Sequence, residues 1–343
     1  MVVHASEGEG GDIRSGVNMI TAINMALHRA MADDDNVVVF GEDVGRKGGV
    51  FCATEGLQKT FGVHRAFDTP LSEQLISGIA VGLGTEGFKA VAEFQFAGFV
   101  FPGFDQIINQ ASRMRNRTRG RLSCPIVYRA PWGGGNKSPE HHSESPEALF
   151  SHIPGLRVVI PSTPKRAYGL LLAAIRDPDP VFFFEPIRLY RNTSIKEDVS
   201  DDGVALPLDT AFVDREGRDV TIVSWGSSLL ETMKAVHELE TQGVNAEVID
   251  VASISYFDFE TVLKSVQKTG RCVIVHEASR TNGFGSEIAA RLADEGVLYL
   301  KAPVKRVTGL DAVVPYGRHE KYFMPDVPEI VQTVKEVTRF PSE

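Results

Sequence analysis

The sequence predicts an α/β protein made of two successive doubly wound domains. Three observations lead there. From about residue 18, short apolar runs alternate with amphipathic segments, the order expected of strands joined by helices in a mostly parallel sheet. Between about Arg191 and Gly217 the chain turns polar, beginning RNTSIKEDVSDDG, and offers little to bury. A chain of 343 residues that is 43% hydrophobic has enough apolar mass for two packed cores.

Residues 1–17 read as a disordered lead-in. They lack the basic-then-apolar order of a signal peptide and the Arg-rich, acid-poor pattern of a transit peptide. Residues 18–190 form the first predicted domain. NVVVFG (36–41) has the pattern of a buried strand. In DTPLSEQLISGIAVGLG (68–84), Ser72 is a good N-cap. An acid in the first turn, Glu73, would stabilise the helix by ~0.3–1 kcal/mol. The helix behind it is apolar on every side and spaced by glycines, so it is expected to be buried or to face a partner. A carboxylate at its buried mouth then needs a definite partner, because an unpaired buried charge is costly.

Gly82, Gly84 and Gly87 spell G-x-G-x-x-G, but a helix precedes them and a strand follows. A dinucleotide loop needs the opposite order. The glycines are therefore predicted to be a helix exit, which argues against a nicotinamide-binding dehydrogenase. Lys89–Phe96 reads as the next strand. Pro102 suits a first helical turn, and Phe104, Ile107, Ile108, Ala111 and Met114 share one helical face. PIVYRA (125–130), LRVVIP (156–161) and VFFFEP (181–186) are further strands. WGGGN (132–136) suggests a flexible active-site loop, and a helix capped by Ser145 is expected after His141 and His142.

Residues 191–217 read as a linker. The second domain, 218–343, begins with DVTIVSWG (219–226), continues through NAEVIDV (245–251) and RCVIVHE (271–277), and closes on a helix over 327–337.

A net charge of −9 argues against nucleic acid or an anionic membrane surface as the main partner. No apolar run reaches the ~18 residues that span a bilayer. Cys52, Cys124 and Cys272 are too scattered for a disulfide framework or a metal knuckle. A reducing intracellular setting is expected, cytoplasmic in a prokaryote or the mitochondrial matrix for a processed eukaryotic chain. The adjacent histidines lack zinc-site spacing.

Nine blocks then occur in a familiar order: GEDVGRKGGVF, FDTPLSEQ, EFQFAGFVFPGFDQI, RAPWGGG, HHSESPEALF, PGLRVVIPSTP, DPDPVFFFEP, KTGRCVIVHEA and APVKRVTGLD. Through them the chain resembles the β subunit of the thiamine-diphosphate-dependent decarboxylating component of 2-oxo acid dehydrogenase complexes. The likeness runs from about residue 18 to the C-terminus. It implies a pyrimidine-binding domain followed by a transketolase C-terminal-like domain.

By this resemblance Glu73 hydrogen-bonds a ring nitrogen of the cofactor's aminopyrimidine and so activates the thiazolium carbon. Leu71 and Gln95 line the pyrimidine pocket, and Phe99 offers an aromatic face where many branched-chain members have Tyr. His142 matches the histidine that acts in acyl transfer to a lipoyl group. Glu144 stands where Gln is common, and Lys165-Arg166 where Tyr-Asp is frequent. Cys124, Ile126, Val127, Ala174, Asp177 and Asp179 match backbone positions that hold potassium in some members, with Asp179 in place of a usual Asn.

The family's diphosphate and Mg²⁺ motif begins GDG, and this chain has none. The resemblance therefore implies an α subunit supplying that half, an α₂β₂ assembly, and a lipoyl-bearing acyltransferase downstream. SESPEALF and QFAGFVFPGFDQ point to a branched-chain substrate such as 3-methyl-2-oxobutanoate. Pyruvate and, less strongly, acetoin are the alternatives, and a noncatalytic scaffold is a more remote one.

Overall fold

The computed structural model describes residues 12–341. In chain order the first half runs β1 (Ile13–Val17), α1 (Met19–Asp33), β2 (Val37–Gly41), α2 (Leu57–Phe61), β3 (Ala66–Asp68), α3 (Glu73–Thr85) and β4 (Lys89–Glu93). It continues with α4 (Met114–Arg117), β5 (Ile126–Trp132), α5 (Glu147–Ser151), β6 (Arg157–Val159), α6 (Pro164–Arg176), β7 (Val181–Pro186) and β8 (Glu197–Ser200). The second half comprises β9 (Phe212–Arg215), β10 (Val220–Ser224), α7 (Ser228–Thr241), β11 (Ala246–Asp250), α8 (Phe259–Thr269), β12 (Cys272–Ser279), α9 (Gly285–Glu295), β13 (Lys305–Gly309) and α10 (Val327–Thr338).

Six strands form a parallel sheet in the order β3-β2-β4-β5-β7-β6. β2, β5 and β7 are buried along their whole length. Burial on both faces is what a sheet covered by helices requires, and the two charged residues in these strands, Arg129 and Glu185, pair with each other. A second sheet has the order β13-β12-β10-β11-β9, parallel except for its antiparallel edge strand β9. The fold is the α/β type with parallel sheets that the alternation predicts.

Two expectations are corrected. Residues 13–17 of the lead-in form β1, which pairs antiparallel with β8 from the polar stretch; residues 1–11 lie outside the described residues. The expected linker thus supplies both β8 and the edge strand β9, and it buries Val199, Leu208 and Ala211. Its alternating polar residues face outward, which hides short two-sided strands from a composition-based reading.

The two halves also share one core. Phe40, Trp132 and Phe184 of the first belong to the same buried apolar cluster as Val223, Trp225 and Ile249 of the second. A backbone bridge joins Val159 to Ser253, with Ile160 N donating to Ala252 O at 2.7 Å and Ile254 N to Val158 O at 2.8 Å. Arg166, in place of the family's frequent Asp, reaches across this seam. It binds Asp250 at 2.7 Å, pairs with Asp214 and lies over the Phe212 ring.

Beneath the ends of β4, β5 and β7, Arg129 is fully buried between Glu93 and Glu185. Its guanidinium donates to Glu185 Oε1 at 2.6 Å and to Glu93 Oε2 at 2.8 Å, while the Tyr190 hydroxyl adds a bond of 2.5 Å to Glu185. The loop from Gly41 to Leu57 lies over this triad. A Cβ on Gly49, whose φ is +80°, would come within 2.6 Å of Glu93 Oε1. Among the described residues, no helix is long and apolar enough to cross a membrane.

Candidate active site

α3 begins as its sequence predicts. The Ser72 hydroxyl caps it by accepting from Leu75 N at 3.4 Å, and Glu73 is the first helical residue. Ile76, Ser77, Ala80 and Gly84 face inward. The opposite apolar face is open to solvent: Leu71 is 79% exposed and Leu75 42%. Gly82 meets nothing within 4 Å of where a Cβ would stand. Of the two alternatives for a greasy helix, the outward-facing one holds for this face. Gly87, at φ +94°, turns the chain from the helix into β4, as the reversed glycine order requires.

Glu73 is half-buried, and its carboxylate has no hydrogen-bond or ion-pair partner among the described residues. Glu42, at the start of the GEDVG loop, is buried with Oε1 unpartnered. Burial pushes its carboxyl up from the ordinary range, and the charges of Glu73 and Asp43 push the same way. Two acids thus meet at the mouth of α3, both without a cation. The sequence reading singled out only Glu73; the signal it passed over is the acid inside GEDVGRKGGVF.

Gln95 and Phe99 follow β4. Gln95 is half-buried and makes no side-chain hydrogen bond among the described residues. Phe99 belongs to an aromatic cluster with Phe96, His141 and His142, with centroid distances of 5.2 Å from Phe99 to His142 and 4.3 Å from Phe96 to His142. The structure therefore brings Phe99 and His142 together. The segment that follows winds as a π-helix over Gln106–Ala111 rather than as the predicted α-helix from Pro102. Ile107 and Ala111 still face the core, because over two turns the same residues point inward in either winding.

His142 closes a short 3₁₀ turn, with Nδ1 buried and unpartnered. Burial, then the neighbouring His141, lowers its pKa against the opposing pull of Glu140. The imidazole is therefore neutral near pH 7 and able to accept a proton. Burial raises the carboxyl of Glu144 beside this histidine from its ordinary value. No group of three or more His, Cys, Asp or Glu among the described residues could hold a metal.

Two local expectations fail here. Ser145 does not cap α5; its hydroxyl donates instead to Glu277 Oε1 at 2.8 Å. The WGGGN loop is not free, because Gly134, Gly135 and Lys137 donate their backbone N–H groups to Glu277 and Glu320. Nearby, Glu147 is fully buried and its carboxyl is pushed up to about 8, so it stays protonated at neutral pH while accepting from Trp132 Nε1 at 3.0 Å.

The residues matching potassium positions divide in two. Cys124 N donates to Pro178 O at 3.0 Å, which brings Cys124 to the Ala174–Asp179 turn. Ile126 and Val127 lie within β5, Ile126 paired with Ala90 of β4 and Val127 with Val91 of β4 and Val181 of β7. The Asp177 and Asp179 carboxylates are engaged by Arg157 and Arg115, so only backbone carbonyls are left to hold an ion there.

α3 offers a carboxylate at its N-terminus and an exposed apolar wall, while the chain beyond β4 offers the Gln95 amide and the Phe99 ring. Groups of these kinds suit half of a bound aromatic cofactor.

Comparison with known proteins agrees with this. The family described as "Transketolase, pyrimidine binding domain" matches residues 15–193, and "Transketolase, C-terminal domain" matches 209–330. The "Pyruvate dehydrogenase E1 component subunit beta" of Bacillus subtilis is 46% identical over 324 residues, covering 94% of this chain and 99% of its own. The protein of that name from Acholeplasma laidlawii is 46% identical over 323 residues, covering 94% and 98%. A solved "Split gene transketolase, inactive beta4 tetramer" superposes with a TM-score of 0.76 at 24% identity, covering 95% of this chain and 99% of the other. At that identity the likeness shows the fold alone.

Proposed function

The chain belongs to the family of E1 β subunits of thiamine-diphosphate-dependent 2-oxo acid dehydrogenases, and on that premise we propose that it supplies the pyrimidine half of a site completed by an α subunit. The observation that carries this is Glu73, a carboxylate held at a capped helix N-terminus with no hydrogen-bond or ion-pair partner among the described residues. Leu71 and Leu75 extend the same open face, and the absence of a GDG motif leaves the diphosphate and its Mg²⁺ to another chain. An α₂β₂ assembly follows from that division, with a lipoyl-bearing acyltransferase as the acyl acceptor. A potassium ion, if held, would sit on carbonyls at the junction of Cys124 with the 174–179 turn.

Thiamine diphosphate, when bound, supplies a carbon nucleophile and a sink for the electrons released with CO₂. Glu73 holds a proton between its carboxylate and a ring nitrogen of the aminopyrimidine. Glu42 stands beside it, its carboxyl raised by burial and by the charge of Glu73. Phe99 provides a face for a flat ring, Gln95 an amide, and Leu71 an apolar wall. His142, whose buried Nδ1 has no partner among the described residues, would take or return a proton as the disulfide of an oxidised lipoyl group accepts the acyl unit with its electron pair, one sulfur becoming the thioester and the other a thiol.

The relatives named above are pyruvate dehydrogenase subunits, which supports pyruvate as the substrate over the branched-chain acid expected from SESPEALF and QFAGFVFPGFDQ. Those two blocks keep 3-methyl-2-oxobutanoate as the second reading. The test is co-purification with the α partner, followed by initial rates on a panel of 2-oxo acids. Pyruvate is expected to give the highest kcat/KM. A strong preference for 3-methyl-2-oxobutanoate would restore the branched-chain reading, and no turnover of any 2-oxo acid would overturn both.

A further inference from the structure

The three consecutive glycines at 133–135 look like an anion-binding loop, and they are one. The anions are carboxylates from the second half of the same chain. Glu277, near the end of β12, accepts from Gly134 N at 3.0 Å and from the hydroxyls of Ser145, at 2.8 Å, and Ser227. Glu320, in a 3₁₀ turn over Gly317–Tyr322, accepts from Gly135 N at 2.7 Å and Lys137 N at 2.9 Å. Both carboxylates are buried.

The glycines are required by this approach. A Cβ on Gly133, at φ +82°, would collide with Glu277 Oε1, and one on Gly134 would stand 3.0 Å from Glu320 Oε1. Between the two amides bound by Glu320 lies Asn136. Its Nδ2 donates to His142 O at 3.2 Å, and its Oδ1 accepts from Ser143 Oγ at 3.0 Å. Glu320 therefore fixes the backbone on either side of Asn136, and the Asn136 side chain in turn bonds the backbone of His142.

We propose that Glu277 and Glu320 are positioning residues for His142, through which the second domain sets the place of a side chain in the first. This rests on the role given to His142 above. Buried carboxylates that accept several backbone N–H groups hold them firmly, because each bond is charge-assisted and each acceptor would be costly to leave bare. Glu320 is the better residue to test, since it bonds only the loop. Its removal leaves the Arg166–Asp250 pair and the Val159–Ser253 bridge to hold the halves together.

The experiment uses the full chain in complex with its α partner. Hydrogen exchange is followed at the amides of 133–143 in wild type, Glu320→Ala and Glu320→Gln. Two half-reactions are read beside it: decarboxylation with an artificial electron acceptor, and acylation of a free lipoyl domain. In Glu320→Ala the loop amides are expected to exchange about tenfold faster and lipoyl acylation to slow about tenfold, while decarboxylation changes less than about twofold. Glu320→Gln, which keeps one acceptor oxygen, should fall between the two.

Loop amides exchanging at the wild-type rate in Glu320→Ala would overturn the proposal. So would faster exchange with both half-reactions unchanged, or an equal loss in both, which would indicate general damage. A wild-type complex that turns over no 2-oxo acid would instead overturn the functional reading, and with it the role of His142.

Discussion

Glu73→Gln is expected to remove most turnover of the assembled enzyme, roughly 10²–10⁴-fold in kcat, while leaving assembly and melting temperature near wild type. The size follows from the role. A glutamine fills the same volume and can still donate or accept a hydrogen bond, but it cannot share a proton with a ring nitrogen. The near-neutral effect on stability follows from the surroundings. Ser72 caps α3 whatever residue follows it, and the Glu73 carboxylate has no hydrogen bond or ion pair to lose among the described residues. Loss of the charge also removes a repulsion from buried Glu42. The check is steady-state kinetics on the reconstituted complex beside size-exclusion chromatography. Wild-type turnover in the variant would show that the acid serves only the helix.

Arg129→Met is expected to have the largest effect on folding. Arg129 is fully buried and joins the carboxylates of Glu93 and Glu185. Removing the cation leaves two buried acids without a counter-charge, a change that costs about 3–5 kcal/mol. The denaturant midpoint should fall accordingly, and the loop over Gly49, which rests on Glu93, should become protease-sensitive first. Adding Glu93→Gln and Glu185→Gln should restore much of the loss, because neutral amides need no counter-charge. A single variant within 1 kcal/mol of wild type, judged on the usual scale for surface changes of about 0.5 kcal/mol, would contradict this.

What was legible in the sequence was what is settled within a few residues. The start of α3 could be read from Ser72 and Glu73, because an N-cap bond spans only three residues. The exit at Gly87 could be read from the order of helix and strand. β2 is marked by an unbroken apolar run, and β5 and β7 by apolar runs interrupted only by Arg129 and Glu185. The π winding over Gln106–Ala111 was hidden because it buries the same side chains as an α-helix would.

What escaped was decided at long range. β1 pairs with β8 across nearly the whole first domain, and neither strand has an apolar face strong enough to mark it alone. Ser145 has the right identity and place for an N-cap, but Glu277 takes its hydroxyl. The WGGGN loop reads as flexible, yet its amides are bound by carboxylates more than 140 positions downstream. Arg166, a departure from the family's usual residue, acquires its meaning only from Asp214 and Asp250 on the other sheet.

This chain is expected to hold one half of a cofactor site, with the other half on an α subunit. Calorimetric titration of thiamine diphosphate with Mg²⁺ tests it most directly, into this chain alone, into the α partner alone, and into the two mixed. Stoichiometric binding is expected only in the mixture, and Glu73→Gln should weaken it there. Stoichiometric binding to this chain alone, or none to the mixture, would contradict the claim.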